Sequence, residues 1–267
     1  MATSLAAMGH RLLRASEDSG DSSVGASSGP YATKPIREYL TRFSPVEAGL
    51  WQRRDYAVTY NIVHWSGSGG GTRAAGNSVV GQVAIERRQG NKQVRYDVEQ
   101  ETQIGGVKNF VKAQIVCNRD GWNSLRHWEL NSYSTGLTGQ ADPISQIAEE
   151  GQCKNGHIWI EGSSYHYSYS TKKPVVSQWT VVDYLAHNAS ARLNVTFDLL
   201  QDLSLFKPNQ SLVYDGQVRV KLEDGLIAAF QTYAQTGQGV LPIHYLVDSR
   251  GRPQLVTSSI VSWALSG

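Results

Sequence analysis

The chain reads as a mainly β protein: a curved open antiparallel sheet, a half-barrel of about ten strands, with one helix inserted late and another ahead of the first strand. Three observations predict this. From Tyr56 onward, apolar and polar residues alternate with period two in run after run, as strands with one buried face require. Short Gly, Asn and Asp turns separate the runs, as in a meander. The 267 residues include 26 Gly, 13 Tyr and 7 Trp, and only 18% are charged, below the roughly 25% of an average globular chain, which argues against a coiled coil or a charge-rich disordered chain.

Residues 31–51 place Ile36, Tyr39, Leu40, Phe43, Val46, Leu50 and Trp51 mostly at i, i+3, i+4, i+7 spacing, which predicts an amphipathic helix, or a helix and a turn at Pro45. Tyr56, Val58, Tyr60 and Ile62 then mark the first strand, and residues 66–76 are a glycine-rich loop. Residues 79–88 are the second strand, ending in a hairpin turn at 89–91. Val94, Tyr96 and Val98 alternate with Arg95, Asp97 and Glu99. Val107, Val111, Ala113, Ile115 and Cys117 share one face after the Gly105-Gly106 turn, and Arg119-Asp120-Gly121 leads into a strand over 122–133. Residues 134–156 are polar and irregular, with a helical turn at 143–149, and 157–161 pairs with 164–170 as a hairpin. The second helix is expected over 175–187, with Pro174 at its start. A helical turn at 197–203 and strands at 212–222, 226–235, 243–248 and 255–265 complete the chain.

Residues 1–30 stand apart as a flexible N-terminal segment, and 31–267 form a single β-rich domain. The opening MATSLAAMG is small and apolar without the basic residues of a signal. It reads either as the remnant of an export signal or as an ordinary frayed helix. Residues 15–30 are Ser, Gly and Asp, a tether that cannot offset its ordering entropy. A short apolar piece, a tether and a folded domain together suggest an extracytoplasmic protein, periplasmic or secreted. The net charge of +2, with no basic block longer than a pair, excludes a strongly basic nucleic-acid binder. No run approaches the ~18 apolar residues of a membrane span, which leaves envelope association open.

Cys117 and Cys153 are the only cysteines. Bridged, they would close a 37-residue loop worth about 3.8 kcal/mol on the chain-entropy account; two buried free thiols are the alternative. Their spacing makes no metal site. GSGGG at 67–71 lacks the Lys-Ser/Thr of a phosphate cradle. GQGVLP at 237–242 leads into a strand rather than a helix, so it reads as a bend or bulge, and no nucleotide or other cofactor is expected. No HExxH or G-x-S-x-G occurs.

CNRDGWNSLRHW at 117–128 and LPIHYLVDSRGRPQLVTSS at 241–259 resemble the strand-turn-strand and the closing hairpin of bacterial lipoprotein-carrier half-barrels (the LolA/LolB type) and of related uncharacterised exported β-domains. The resemblance implies a hydrophobic ligand held between sheet and helix.

Aromatic and basic residues supply the candidate sites. Tyr165, Tyr167 and Tyr169 share one strand face, with His166 opposite: a row of amphipathic rings suited to a sugar or lipid surface, or a stripe that merely covers the sheet. Trp122, Arg126 and Trp128 share another face, as a cation–π stack or an anion anchor. Trp179 faces the sheet from the second helix. The row of Asp97, Glu99 and Glu101 reads as a solvated face. For acid–base chemistry the available set is His166, Tyr167, His244 and Arg126. Three readings follow: an exported carrier or ligand-binding module for an apolar or amphipathic ligand, a carbohydrate-active lyase or hydrolase with an aromatic cleft and a His/Tyr centre, and a structural envelope protein.

Overall fold

The structure is a computed structural model that describes residues 40–42, 54–65, 77–104, 106–136, 139–258 and 261–266. The expected tether at 1–30, the loop at 66–76 and most of the helix expected at 31–51 lie outside these residues; within the last, Leu40 and Thr41 are helical.

The described strands form one sheet of 15, more than the ten expected. In chain order they are β1 (Tyr56–Trp65), β2 (Asn77–Gln89), β3 (Gln93–Ile104), β4 (Val107–Asn118), β5 (Leu125–Thr135), β6 (Ile147–Lys154), β7 (His157–Gly162) and β8 (His166–Ser170). β9 (Val175–Val176) and the helix α1 (Gln178–Asn188) come next, then β10 (Asn194–Gln201), β11 (Leu205–Lys221), β12 (Ile227–Thr236), β13 (Ile243–Val247), β14 (Pro253–Thr257) and β15 (Val261–Leu265). Across the sheet the order runs from β8 down to β1, then from β15 down to β9. Every neighbouring pair is antiparallel except β9–β10. The strands β1–β5, β7 and β8 follow the alternation of the sequence, with Val94, Tyr96 and Val98 buried and Arg95 and Glu99 exposed, whereas β6 lies in the stretch 134–156 expected to be irregular.

Four local expectations are corrected. The helical turn expected at 197–203 is strand β10 and its turn. Phe197, Asp198, Leu199 and Leu200 are all buried, and a run without alternation carries no period-two signal. The second helix starts at Gln178, not 175, because Ser177 caps it: its hydroxyl accepts from the Thr180 N–H, and Thr180 returns the bond. Val175 and Val176 pair instead with β10. Residues 255–265 are two strands, β14 and β15, folded back at Ser258. The helical turn at 143–149 shrinks to a single 3-10 turn, Pro143–Ser145, capped by Asp142.

The sheet curls round α1. Trp179 to Leu185 are buried without a break, so this helix is surrounded rather than laid on a surface by one face. The sheet's two edges approach each other through side chains. Tyr169 of β8 stacks on Phe206 of β11, with centroids 4.8 Å apart. The hydroxyls of Tyr165 and Ser204 both donate to Glu149, and Thr171 donates to Asp198. A second, smaller core lies on the outer face, where Leu40 packs with Val63, Val220, Phe230, Leu246, Leu255 and Ala264.

Candidate functional site

Inside the sheet Asp183, the middle residue of α1, is 1% exposed and gathers donors from four other parts of the chain. Tyr56 (β1) donates to it at 2.5 Å, Tyr96 (β3) at 2.6 Å and Asn123 (β4–β5 turn) at 2.8 Å. Arg87 Nε (β2) lies 3.0 Å away, and His187 Nδ1, one helical turn on, lies 3.3 Å away. Burial alone would raise the Asp183 carboxyl, but His187, Arg87 and Tyr56 outweigh it and hold it below the usual value. His187 is raised, chiefly by its hydrogen bond to Asp183, against the opposing effect of burial. Burial first, and then Asp183, push Tyr56, Tyr96 and Cys117 well up. A carboxylate has about four lone-pair sites, and Tyr56, Arg87, Tyr96 and Asn123 occupy them, while His187 Nδ1 also lies 2.9 Å from the Asp183 backbone carbonyl oxygen. This centre therefore clasps the helix to the sheet and has no free lone pair to act as a base.

The 11-residue helix α1 is about 16 Å long, whereas the 12-residue strands β3 and β4 run about 40 Å. On the β3–β4 side the inner face therefore outreaches its plug. Beyond it, Ile104, its cross-strand partner Val107, Ile147 and Tyr167 stay exposed on the same side as the core residues of their strands. On the β10–β15 side, and not lined by those four residues, a groove of about 470 Å³ opens between the first turn of α1, the turn after β10 and the β12–β13 connection. Leu205, Leu241, Ile243, Val256, Val261 and Trp263 supply apolar walls, Tyr245 is buried behind them, and Gln178, Asp202 and Lys207 are polar points in the lining. Asp202 and Leu203 sit in the left-handed region at φ of 50° and 58°. That conformation is unfavourable for a leucine, but its side chain is fully buried. The turn is held on both sides: Gln178 exchanges two hydrogen bonds with Asp202, and Ser204 reaches Glu149. A larger depression of about 710 Å³ lies beside Thr41, Leu226 and Arg250, with one wall ending at Arg42, where the described residues stop.

The residues singled out in the sequence fall in several places. Tyr165 and Tyr169 serve the seam between the sheet's edges, and Tyr167, in ring contact with Tyr165, is 47% exposed. Trp122, Arg126 and Trp128 do not share a face. A bulge opposite Val116–Cys117 makes Arg126 an extra, exposed residue, while Trp128 turns into the core. Trp122 lies in the preceding turn and stacks on Tyr184 at 4.1 Å. Trp128 and Trp179 are wholly buried core. Cys117 and Cys153 are free thiols: β5 lies between their strands, so their Cα atoms are about 9–10 Å apart, beyond the ~7 Å limit for a bridge. Of the acid–base set, His166 and Tyr167 lie on edge strand β8, with His166 exposed. Arg126 is on β5, and His244 is on β13, 3.9 Å from Asp215 and lowered mainly by burial. The structure does not bring these four together.

The groove residues Leu205, Lys207, Leu241 and Trp263 were not singled out in the sequence. Their one signal was Val240-Leu241, two large apolar residues inside the glycine–proline connection GQGVLP. Among the described residues no group of three His, Cys, Asp or Glu is placed to hold a metal, and no helix is long and apolar enough to cross a membrane.

No family model matches the sequence, and no curated protein matches it. Among solved structures the chain is similar to a β-barrel-like protein of a domain of unknown function, DUF1849, from Brucella abortus. The TM-score is 0.51 at 9% identity, over 79% of this chain and 95% of that one. At this identity the likeness is one of fold: a β-barrel-like sheet.

Proposed function

We propose that the protein is an exported ligand-binding or carrier module that holds an apolar or amphipathic ligand between sheet and helix, in the groove at the start of α1. One observation carries the reading. The helix fills only part of the enclosure, and beyond it the inner face presents Leu205, Leu241 and partly buried Trp263 around a space of about 470 Å³, within the range of small-molecule sites. The short apolar opening and Ser/Gly tether of residues 1–30 support export. A glycan enzyme built on Arg126, His166, Tyr167 and His244 has no convergent centre to support it. Titration with a neutral apolar fluorophore such as N-phenyl-1-naphthylamine tests the reading. Saturable binding by the native protein is expected, weakened at least tenfold in Trp263→Ala and Leu241→Glu with far-UV circular dichroism unchanged. Binding that appears only on partial unfolding, or that ignores both substitutions, overturns it.

A further inference from the structure

Resting on that reading, we propose that the ligand is an anionic amphiphile: a single apolar chain with an acidic head group, the head seated at Lys207 Nζ. Among the described residues Lys207 is the one cationic side chain in the groove lining. It sits on β11 two residues after the exposed Leu205, and its stem lies across Gly239. A Cβ at Gly239 would stand 3.1 Å from Lys207 Cδ and 3.3 Å from Nζ, so the ammonium is carried along the groove edge with its methylenes packed. Among the described residues no carboxylate comes within 4 Å of this Nζ.

The acid in the same lining is already engaged. Asp202 accepts from the Gln178 amide at 2.6 Å, and its backbone N–H donates to Gln178 Oε1 at 2.9 Å. The groove thus combines apolar walls, an acid with one oxygen held by Gln178 and its carboxyl raised by burial, and a cation with no carboxylate within 4 Å among the described residues. Gln178 is the first residue of α1, so the positive end of the helix dipole faces the same space and adds to the same sign. An ammonium head would meet Lys207 and the helix start as like charges. A carboxylate or phosphate head gains a charge-assisted hydrogen bond while its chain covers Leu205, Leu241 and Trp263.

Calorimetric titration of the full chain near neutral pH with dodecanoate, dodecanol and dodecylammonium, all below their micelle concentrations, separates head from tail. Dodecanoate is expected to bind at least about tenfold more tightly than dodecanol, and dodecylammonium most weakly. Lys207→Gln abolishes this preference and Lys207→Arg keeps it. In the unmodified protein the preference shrinks as salt is raised, a readout independent of how the variants fold. Equal binding of all three, or a preference that survives Lys207→Gln or is indifferent to salt, overturns the anionic head while leaving the apolar site intact. No saturable binding of any of the three, together with none of the neutral fluorophore, overturns the site itself.

Discussion

Asp183 joins α1 to β1, β2, β3 and the β4–β5 turn through side chains 60 to 127 residues distant in sequence. That separation is why the centre was invisible in the sequence: a lone Asp on an apolar helix carries no periodic or motif signal. Its removal leaves Arg87 buried at 4% exposure with its charge uncompensated, so Asp183→Ala should destabilise the fold by about 3–5 kcal/mol in urea unfolding. The pair with His187 adds a pH dependence whose sign follows from the directions of the shifts. His187 is raised in the folded state, so its stabilisation is full below its ordinary value of about 6.5 and is lost as pH rises through the raised value. Asp183 is lowered, so its contribution is present above its ordinary value and is lost only as pH falls through the lowered one. His187→Gln should therefore flatten the alkaline decline of the urea midpoint and, because His187 is foremost among the groups that hold Asp183 down, start the acid decline at a higher pH. An undiminished alkaline decline in that variant would place its source elsewhere.

At the level of elements, the sequence announced those that bury one face. β2 to β5 alternate, and their turns carry Gly, Asn or Asp. It failed where burial is two-sided or where a turn lacks those residues. β10 is buried in four consecutive positions, and the fold-back at Ser258 follows Thr257 and precedes Val261 with no glycine described there. The groove was half legible, since the apolar inner face followed from alternation but its polar points came from turns and a connection. Close packing makes one glycine decisive for β5 and β6. A Cβ on Gly151 would lie 2.2 Å from two ring atoms of Trp128, an indole with no exposed surface to retreat to. Gly151→Ala should cost about 1–3 kcal/mol, as overpacking does. A loss under about 0.5 kcal/mol would show that the indole can swing aside. Val182 and Leu185, by contrast, are core positions, where a charge tests folding and not ligand binding.

On the scale of the molecule, the clasp and the groove divide the enclosure. The middle of α1 is fixed by charge and hydrogen bonds at Asp183, and its first turn meets an apolar groove. The outer face needs its own cover, since Phe230, Leu246 and Leu255 are shielded with the help of Leu40, which precedes β1 in the chain.

The order of the sheet has a consequence for how the polypeptide can be cut. β8 and β9 are consecutive in sequence yet form the sheet's two free edges, while β1 and β15 lie side by side in its middle. A break in the four-residue link from Thr171 to Pro174 severs no strand pairing at all. It leaves two half-meanders, β1–β8 and β9–β15, joined through the five β1–β15 register pairs from Tyr60–Leu265 to His64–Val261, the clasp on Asp183 and the aromatic seam. The protein is in this sense a heterodimer written as one chain. Cleavage after Lys172, which is exposed, should yield a nicked species whose halves co-elute in size exclusion and separate only in denaturant. Spontaneous dissociation of the halves would mean that the seam depends on the covalent link.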